Sequence, residues 1–422
     1  MQAKRFRPLS CAVAVAVALP LGAQAAGFAE DATATLNLRN FYLGRDFRHS
    51  ASSAQSRAEE WTQSFILDAR SGFSEGTVGF GVDALGLYSV KLDGGKGTAG
   101  TQLLPVHDDG RPADDFGRLA VAGKARISAT ELKVGEWMPV LPILRADDGR
   151  SLPQTFQGAQ LTSKEIAGLT LYGGQFRQNS PRNDASMEDL SIFGRPAFTS
   201  DRFNFAGGEY SFNDKRTMVG AWYAELEDIY QQQYYNLVHA QPVGAWTLGA
   251  NLGYFIGAEH GDELAGELAG ELDNQTVSGL FSAKTGNHGF YVGLQKVSGD
   301  DGWMRVNGTS GGTVANDSFN SSFENANERS WQLRYDYNLA GWGIPGLTFM
   351  TRYISGEDAE VAGVSDGKEW VRETELAYVV QSGPLKSLNL KWRNASIRKS
   401  WASNGTDFDE NRLIVNYPLN LL

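Results

Sequence analysis

From about residue 33 to its end the chain is written in steps of two. In Ala245–Ile256, Trp246, Leu248, Ala250, Leu252, Tyr254 and Ile256 share one parity, opposite Thr247, Gly249, Asn251, Gly253 and Phe255. In Trp331–Leu339, Trp331, Leu333, Tyr335, Tyr337 and Leu339 oppose Gln332, Arg334, Asp336 and Asn338, and the last segment sets Leu413, Val415, Tyr417, Leu419 and Leu421 against Arg412, Asn416 and Asn420. Side chains alternate faces along a strand and recur every 3.6 residues on a helix, so this pattern predicts strands with two unlike faces. Two architectures use such strands: a sandwich with one face in a core and one in water, or a barrel with one face in lipid.

Two details favour the membrane. Apolar stripes end in Trp or Tyr (Trp61, Tyr88, Trp246, Tyr254, Trp331, Tyr337, Trp392, Tyr417), as girdles at lipid–water interfaces do. The connections also alternate in length. Eighteen candidate strands run from 33–42 to 410–421. Long links at 43–59, 90–116, 138–156, 178–201, 257–273, 298–328, 355–369 and 397–409 alternate with turns such as Ala167-Gly168, Asn213-Asp214-Lys215, Thr285-Gly286-Asn287 and Ser382-Gly383-Pro384. The fold expected is all-β, an 18-stranded antiparallel transmembrane barrel with short periplasmic turns and long extracellular loops. The link 257–273 holds a small duplication, Glu-Leu-Ala-Gly at 263–266 and 267–270, read as a loop tip, and the Gly-, Asn- and Ser-rich link 298–328 is expected to be mobile.

Composition alone would mislead. At 41% hydrophobic, 21% charged and a mean hydropathy of −0.33, the chain looks soluble. Past the N-terminus no apolar run approaches the roughly 18 residues of a membrane helix. A net charge of −11 argues against a nucleic-acid partner, which needs a basic surface. Lys4, Arg5 and Arg7, the apolar stretch Ala12–Leu21 and Ala23-Gln24-Ala25 form a secretory signal peptide. Residues 1–26 are thus expected to be removed, leaving 27–422 as one barrel domain in the outer membrane. Removal takes three of the 38 basic residues and no acid, so 35 basic residues face 49 acidic ones and the charge becomes −14. It also takes Cys11, the single cysteine, leaving no disulfide and no thiol metal site.

Against that negative total, the non-lipid parity carries basic residues: Arg39, Arg70, Lys124, Arg126, Lys133, Arg334, Arg352, Lys391, Arg393 and Arg412, while acids gather in the links. A barrel of this size encloses water, so such a row is a path for anions, and a planar guanidinium can grip a carboxylate in two places. The plainer reading pairs these cations with lumen acids such as Asp68, Asp83, Glu131, Asp336, Glu373 and Glu375. For a single arginine the two readings weigh equally; clustering of Lys391, Arg393 and Arg412 favours transport.

The start Leu36-Asn37-Leu38-Arg39-Asn40-Phe41-Tyr42, then Arg45-Asp46-Phe47-Arg48, resembles the OprD family of substrate-specific outer-membrane porins. So do Leu132-Lys133-Val134-Gly135-Glu136, Arg150-Ser151-Leu152-Pro153-Gln154-Thr155-Phe156-Gln157-Gly158, Lys391-Trp392-Arg393-Asn394 and Asn411-Arg412-Leu413-Ile414-Val415-Asn416-Tyr417-Pro418. The resemblance implies a monomeric barrel narrowed by inward-folded loops, in which a basic ladder guides carboxylate-bearing solutes, organic acids or amino acids, with no cofactor and no metal. Matching positions place Arg48, Arg150, Lys391, Arg393, Arg412 and Arg39 on that ladder, with Arg177 and Arg182 flanking a further loop. The competing class is a barrel enzyme of protease or phospholipase type. Its histidines would have to come from His49, His107, His239, His260 and His288, which show neither H-E-x-x-H nor G-x-S-x-G settings.

Overall fold

The computed structural model describes residues 26–48, 54–261, 271–361, 363–401 and 406–422. The signal segment up to residue 25 with Cys11, His49 and the 263–270 duplication lie outside the described residues.

Past a short helix, Ala26–Glu30, twenty strands follow among the described residues. They are β1 Thr33–Phe47, β2 Arg57–Arg70, β3 Gly79–Asp93, β4 Asp115–Ile127, β5 Thr130–Trp137, β6 Thr155–Ser163 and β7 Leu169–Ser180. Next come β8 Glu188–Ile192, β9 Arg195–Ser200, β10 Phe203–Phe212, β11 Thr217–Leu226, β12 Tyr230–Val243 and β13 Trp246–Glu259. The chain ends with β14 Asp273–Thr285, β15 His288–Ser298, β16 Arg329–Asn338, β17 Leu347–Val361, β18 Val364–Val379, β19 Asn389–Lys399 and β20 Phe408–Asn420. β8 and β9 are a hairpin inside one link, because β7 pairs onward with β10. The other eighteen form a closed antiparallel barrel, sealed where β1 meets β20 from Thr35↔Asn420 to Phe47↔Phe408. This is the expected fold, with no open edge to satisfy in lipid.

The tight turns gather at one end. Asn213, Asp214 and Lys215 all take positive φ, and Gly286 turns β14 into β15 at φ 54°, a conformation that costs a glycine little. The strand boundaries differ from expectation at the other end. The link 355–369 is mostly strand, with β17 and β18 leaving only residues 362–363 between them. The extension is supported from the side, where Glu360 donates its N–H to the Ala326 carbonyl at 2.8 Å. Outward residues form the lipid face: Phe80, Leu119, Val134, Leu248, Val277, Leu294, Leu333 and Leu413 are all exposed, with Trp61, Tyr88, Trp246, Trp331 and Trp392 among the exposed aromatics.

The core lies inside the barrel, where links fold inward. Leu103 and Leu104 from the link after β3 and Leu152 from the link after β5 pack on Phe41, Leu43 and Ile414 of the wall. Trp303, Met304 and Val306 pack on Phe255 and Tyr230, together with Leu141 and Leu144. Phe323 sits among Ile354, Val371 and Ile397. The link between β15 and β16 is therefore not the mobile segment its composition suggested. Widely spaced apolar anchors hold it, and wall glutamines satisfy its backbone: Gln295 Nε2 donates to the carbonyls of Ser322 and Phe323 at 2.9 and 2.8 Å, and Gln232 Nε2 to that of Met304 at 2.7 Å.

Candidate functional site: a basic wall under folded loops

Hydrogen-bonded register fixes which side chains share a level and a face. On the inner face of the seam, Leu43, Arg412, Arg393 and Glu375 stand opposite one another on β1, β20, β19 and β18. The next level toward the loops runs Arg45, Glu410, Ala395, Glu373 and Arg352, and the level below holds Phe41, Ile414 and Lys391. Four expected residues, Arg39, Lys391, Arg393 and Arg412, thus face the lumen on adjacent strands. Arg150 joins them from the link after β5.

Each cation is held. Arg412 Nε donates to Glu410 at 2.5 Å and its Nη2 to Asn320 Oδ1 at 2.8 Å and the Phe319 carbonyl at 3.1 Å. Arg45 donates to the same Glu410 at 2.6 Å. Arg393 and Lys391 share Glu375 at 2.5 and 3.7 Å, and Arg352 takes Glu373 at 2.6 Å. The Phe319 ring from the β15–β16 link lies 4.2 Å from the Arg393 guanidinium carbon, with those of Arg352 and Arg412 at 5.3 and 5.5 Å, so its electron-rich face serves three cations. Of the other lumen acids in the plainer reading, Asp68 pairs with Arg70, Asp83 with Lys124 and Lys133, and Asp336 with Arg334, while Glu131 forms no ion pair among the described residues.

Arg150 differs. Arg39 Nη1 donates to the Arg150 carbonyl at 2.9 Å and to Asp148 at 2.7 Å, which ties the link to the wall. The Arg150 guanidinium itself donates only to carbonyls, Nε to Thr101 at 3.0 Å and Nη1 to Gly149 at 2.8 Å. Among the described residues it has no carboxylate partner. Burial first, then the charges of Arg182, Arg412 and Arg45, push its pKa well below the usual guanidinium value, with Glu410 opposing. A guanidinium keeps its proton regardless, so those forces favour an arriving anion instead. Nearby, burial raises and Arg182 at 2.7 Å more than offsets it at Asp147, whose carboxyl stays below its usual range.

Arg48 does not join the wall. It donates to Asp409 at 2.6 Å, and Asp409 lies on the parity opposite to Glu410 and Arg412. Arg48 therefore stands on the outer face near the top of the seam. The lumen residue of that motif is Arg45, missed in sequence although it continues the Arg39, Phe41, Leu43 parity. Counting in twos from Arg39 reaches Arg45 and passes over Arg48. Arg177 pairs with Asp201 in the open, while Arg182 reaches Asp147 beneath the link. Phe319 left no trace in sequence, because its partners come from three other strands.

A closed eighteen-stranded barrel with an apolar outer band, narrowed by its own loops over a basic wall, defines a bacterial outer-membrane channel. The chain belongs to the OprD family of outer membrane porins, whose family model matches residues 26–421. It is 68% identical over the full length of both chains to the porin-like protein GalP of Pseudomonas putida. Among solved structures it is similar to Pseudomonas aeruginosa OccK2 (OpdF) in complex with glucuronate, at 64% identity and a TM-score of 0.85, covering 94% of this chain and 100% of that one. It is also similar to Pseudomonas aeruginosa OpdK with vanillate, at 52% identity and a TM-score of 0.87, covering 93% and 100%.

Proposed function

We propose that this porin carries small carboxylate-bearing solutes, organic acids foremost and amino acids besides, across the outer membrane by passive diffusion. Solutes bind along Arg39, Arg150, Lys391, Arg393 and Arg412, with Arg45 at the upper end. The observation that carries this reading is Arg150, a buried cation with carbonyl partners only, set among other arginines. Its Nη2 is the donor that a carboxylate would take. The other cations already hold protein carboxylates, so a solute exchanges with Glu375 or Glu410 instead of meeting bare charge. Such exchange keeps binding weak enough for release, which flux requires. That two similar proteins hold glucuronate and vanillate, both carboxylates with otherwise different skeletons, supports the class. The chain works without covalent chemistry, as a monomer, after cleavage near Ala26 has removed the signal peptide.

The test is uptake into liposomes of labelled benzoate, a dicarboxylate, arginine and glucose. Acids entering well ahead of glucose are expected. Glucose entering as fast as the acids overturns the reading.

A further inference from the structure

The outer face carries a second set of arginines that the channel does not use. On this face the register puts Tyr353, Arg372, Ser396, Asp409 and Asp46 on one level, from β17 across β18, β19 and β20 to β1. One level nearer the loops stand Ser355, Trp370 and Arg398, followed by Arg48 just past β1. These levels lie at the upper aromatic belt, where the Trp331 and Tyr353 rings are 5.6 Å apart and those of Tyr353 and Trp370 6.0 Å apart.

Two guanidiniums here share one carboxylate, and a third stands beside them without it. Asp409 is filled from both sides, by Arg48 on Oδ2 at 2.6 Å and Arg398 on Oδ1 at 2.8 Å. Arg398 also lies over the Trp370 ring at 5.6 Å. Arg372, the diagonal neighbour of Arg398, reaches only neutral acceptors at long range, Asn394 Oδ1 at 3.4 Å and Ser396 Oγ at 3.5 Å. Asp46, exposed, and Asp407, buried and accepting the Lys399 N–H at 2.7 Å, are the other acids here.

From Arg372 across β17, β16 and β15 to β14, on its own level and the next one toward the turns, the same face is hollowed. A groove of about 700 Å³ runs past Phe281, Phe290, Val292, Leu333 and Tyr353 and ends at Arg372. Phe281, Phe290, Val292 and Leu333 are exposed side chains of the lipid face, so the groove opens sideways into the bilayer and not into the lumen. An apolar trough on the lipid face, with an underused guanidinium at one end and two more arginines nearer the loops, matches a molecule that joins an acyl chain to a phosphate.

We propose that this face binds a phosphorylated glycolipid of the outer leaflet, its acyl chain in the Phe281–Leu333 groove and its phosphate held by Arg372 and Arg398, with Arg48 alongside. A phosphate accepts bidentate bonds from guanidinium, and the boundary of the bilayer strengthens them relative to water. The inference is independent of the basic wall inside.

Native mass spectrometry of the full barrel in detergent tests it, with bisphosphorylated lipid A, dephosphorylated lipid A and inorganic phosphate as probes. One bisphosphorylated lipid A is expected to stay bound, and the doubly substituted Arg372→Gln/Arg398→Gln barrel should lose at least about tenfold in retention. Arg372→Lys should retain part of the binding, and Thr351→Trp, which fills the groove, should lower retention while leaving the arginines in place. Heat-modifiable gel migration reports that each variant is folded, and benzoate uptake should not change. Equal retention by the double variant, or of dephosphorylated lipid A by the wild type, overturns the proposal. Binding of inorganic phosphate as tight as that of the lipid overturns the groove's part in it.

Discussion

Nine barrel strands away from the seam of β19, β20 and β1, the facing wall of β10 to β13 is made of other material. The seam carries Arg39, Arg45, Arg393 and Arg412 with the acids that hold them. The facing wall carries Phe203, Phe205, Trp222, Tyr230, Tyr234 and Phe255, packed on Trp303 of the inward link. Ring stacking is close there, with Tyr234 and Phe255 centroids 4.0 Å apart. Both walls have buried inner faces, yet they tolerate change differently. An apolar wall loses area when cut, whereas a charged wall loses its balance, since a cation left alone in a buried place is far costlier than a missing methyl group.

The largest effect should come from the seam. Glu410 accepts from Arg45 and Arg412 together, so Glu410→Gln leaves two buried guanidiniums short of an anion. A loss of about 3–5 kcal/mol is expected, read as a lower urea midpoint for unfolding in detergent. On the facing side Trp303→Ala should cost less, about 3 kcal/mol, because its buried indole N–H has no partner among the described residues, and it should raise single-channel conductance by freeing the link. A conductance unchanged by Trp303→Ala would show that the aromatic wall does not set the bore.

Arg150→Ala is milder for stability and sharper for function. Benzoate and dicarboxylate flux should fall by about tenfold, the worth of one charge-assisted contact, with glucose flux unaltered. A uniform fall for all solutes would mean that Arg150 only props the link. Next comes pH. Burial raises the Asp317 carboxyl in the β15–β16 link to about 7, against the opposing Ser322 hydroxyl and Arg352 and Arg305 charges. A raised folded value means the packed link binds the proton more tightly than the loose one. The stabilisation is therefore full at acid pH, below the ordinary aspartate range, and is lost as pH rises through about 7. Limited proteolysis of the link should be faster at pH 8 than at pH 6, and Asp317→Asn should abolish that difference. The smallest effect belongs to Tyr230→Phe. The buried Tyr230 hydroxyl has no partner among the described residues, so its removal should leave the urea midpoint unchanged or slightly higher.

The fold was legible because lipid imposes a rule on every strand at once. Parity and alternating link lengths recovered all eighteen barrel strands, down to β6 and β7 on either side of Gly168. Of the site, the parts that belong to strands were legible and the parts that belong to links were not. Lys391, Arg393 and Arg412 announce themselves by parity, while Arg48 was chosen for its place in a motif and parity would have rejected it. The link 298–328 looked mobile because glycine and asparagine dominate it by number. Its placement depends on Trp303, Val306 and Phe323 finding cavities made by strands distant in sequence, and on wall glutamines whose carbonyl partners no local pattern reveals.

The barrel closes between its first strand and its last, and several contacts that shape the constriction cross that line: Arg39 to Asn416 at 3.1 Å, and Arg45 to Glu410. A chain still waiting for its final strand has the lipid face of a porin but no complete filter. Sealing the barrel and completing the basic wall are therefore one event, so on the proposed reading an unsealed chain is also an unselective one.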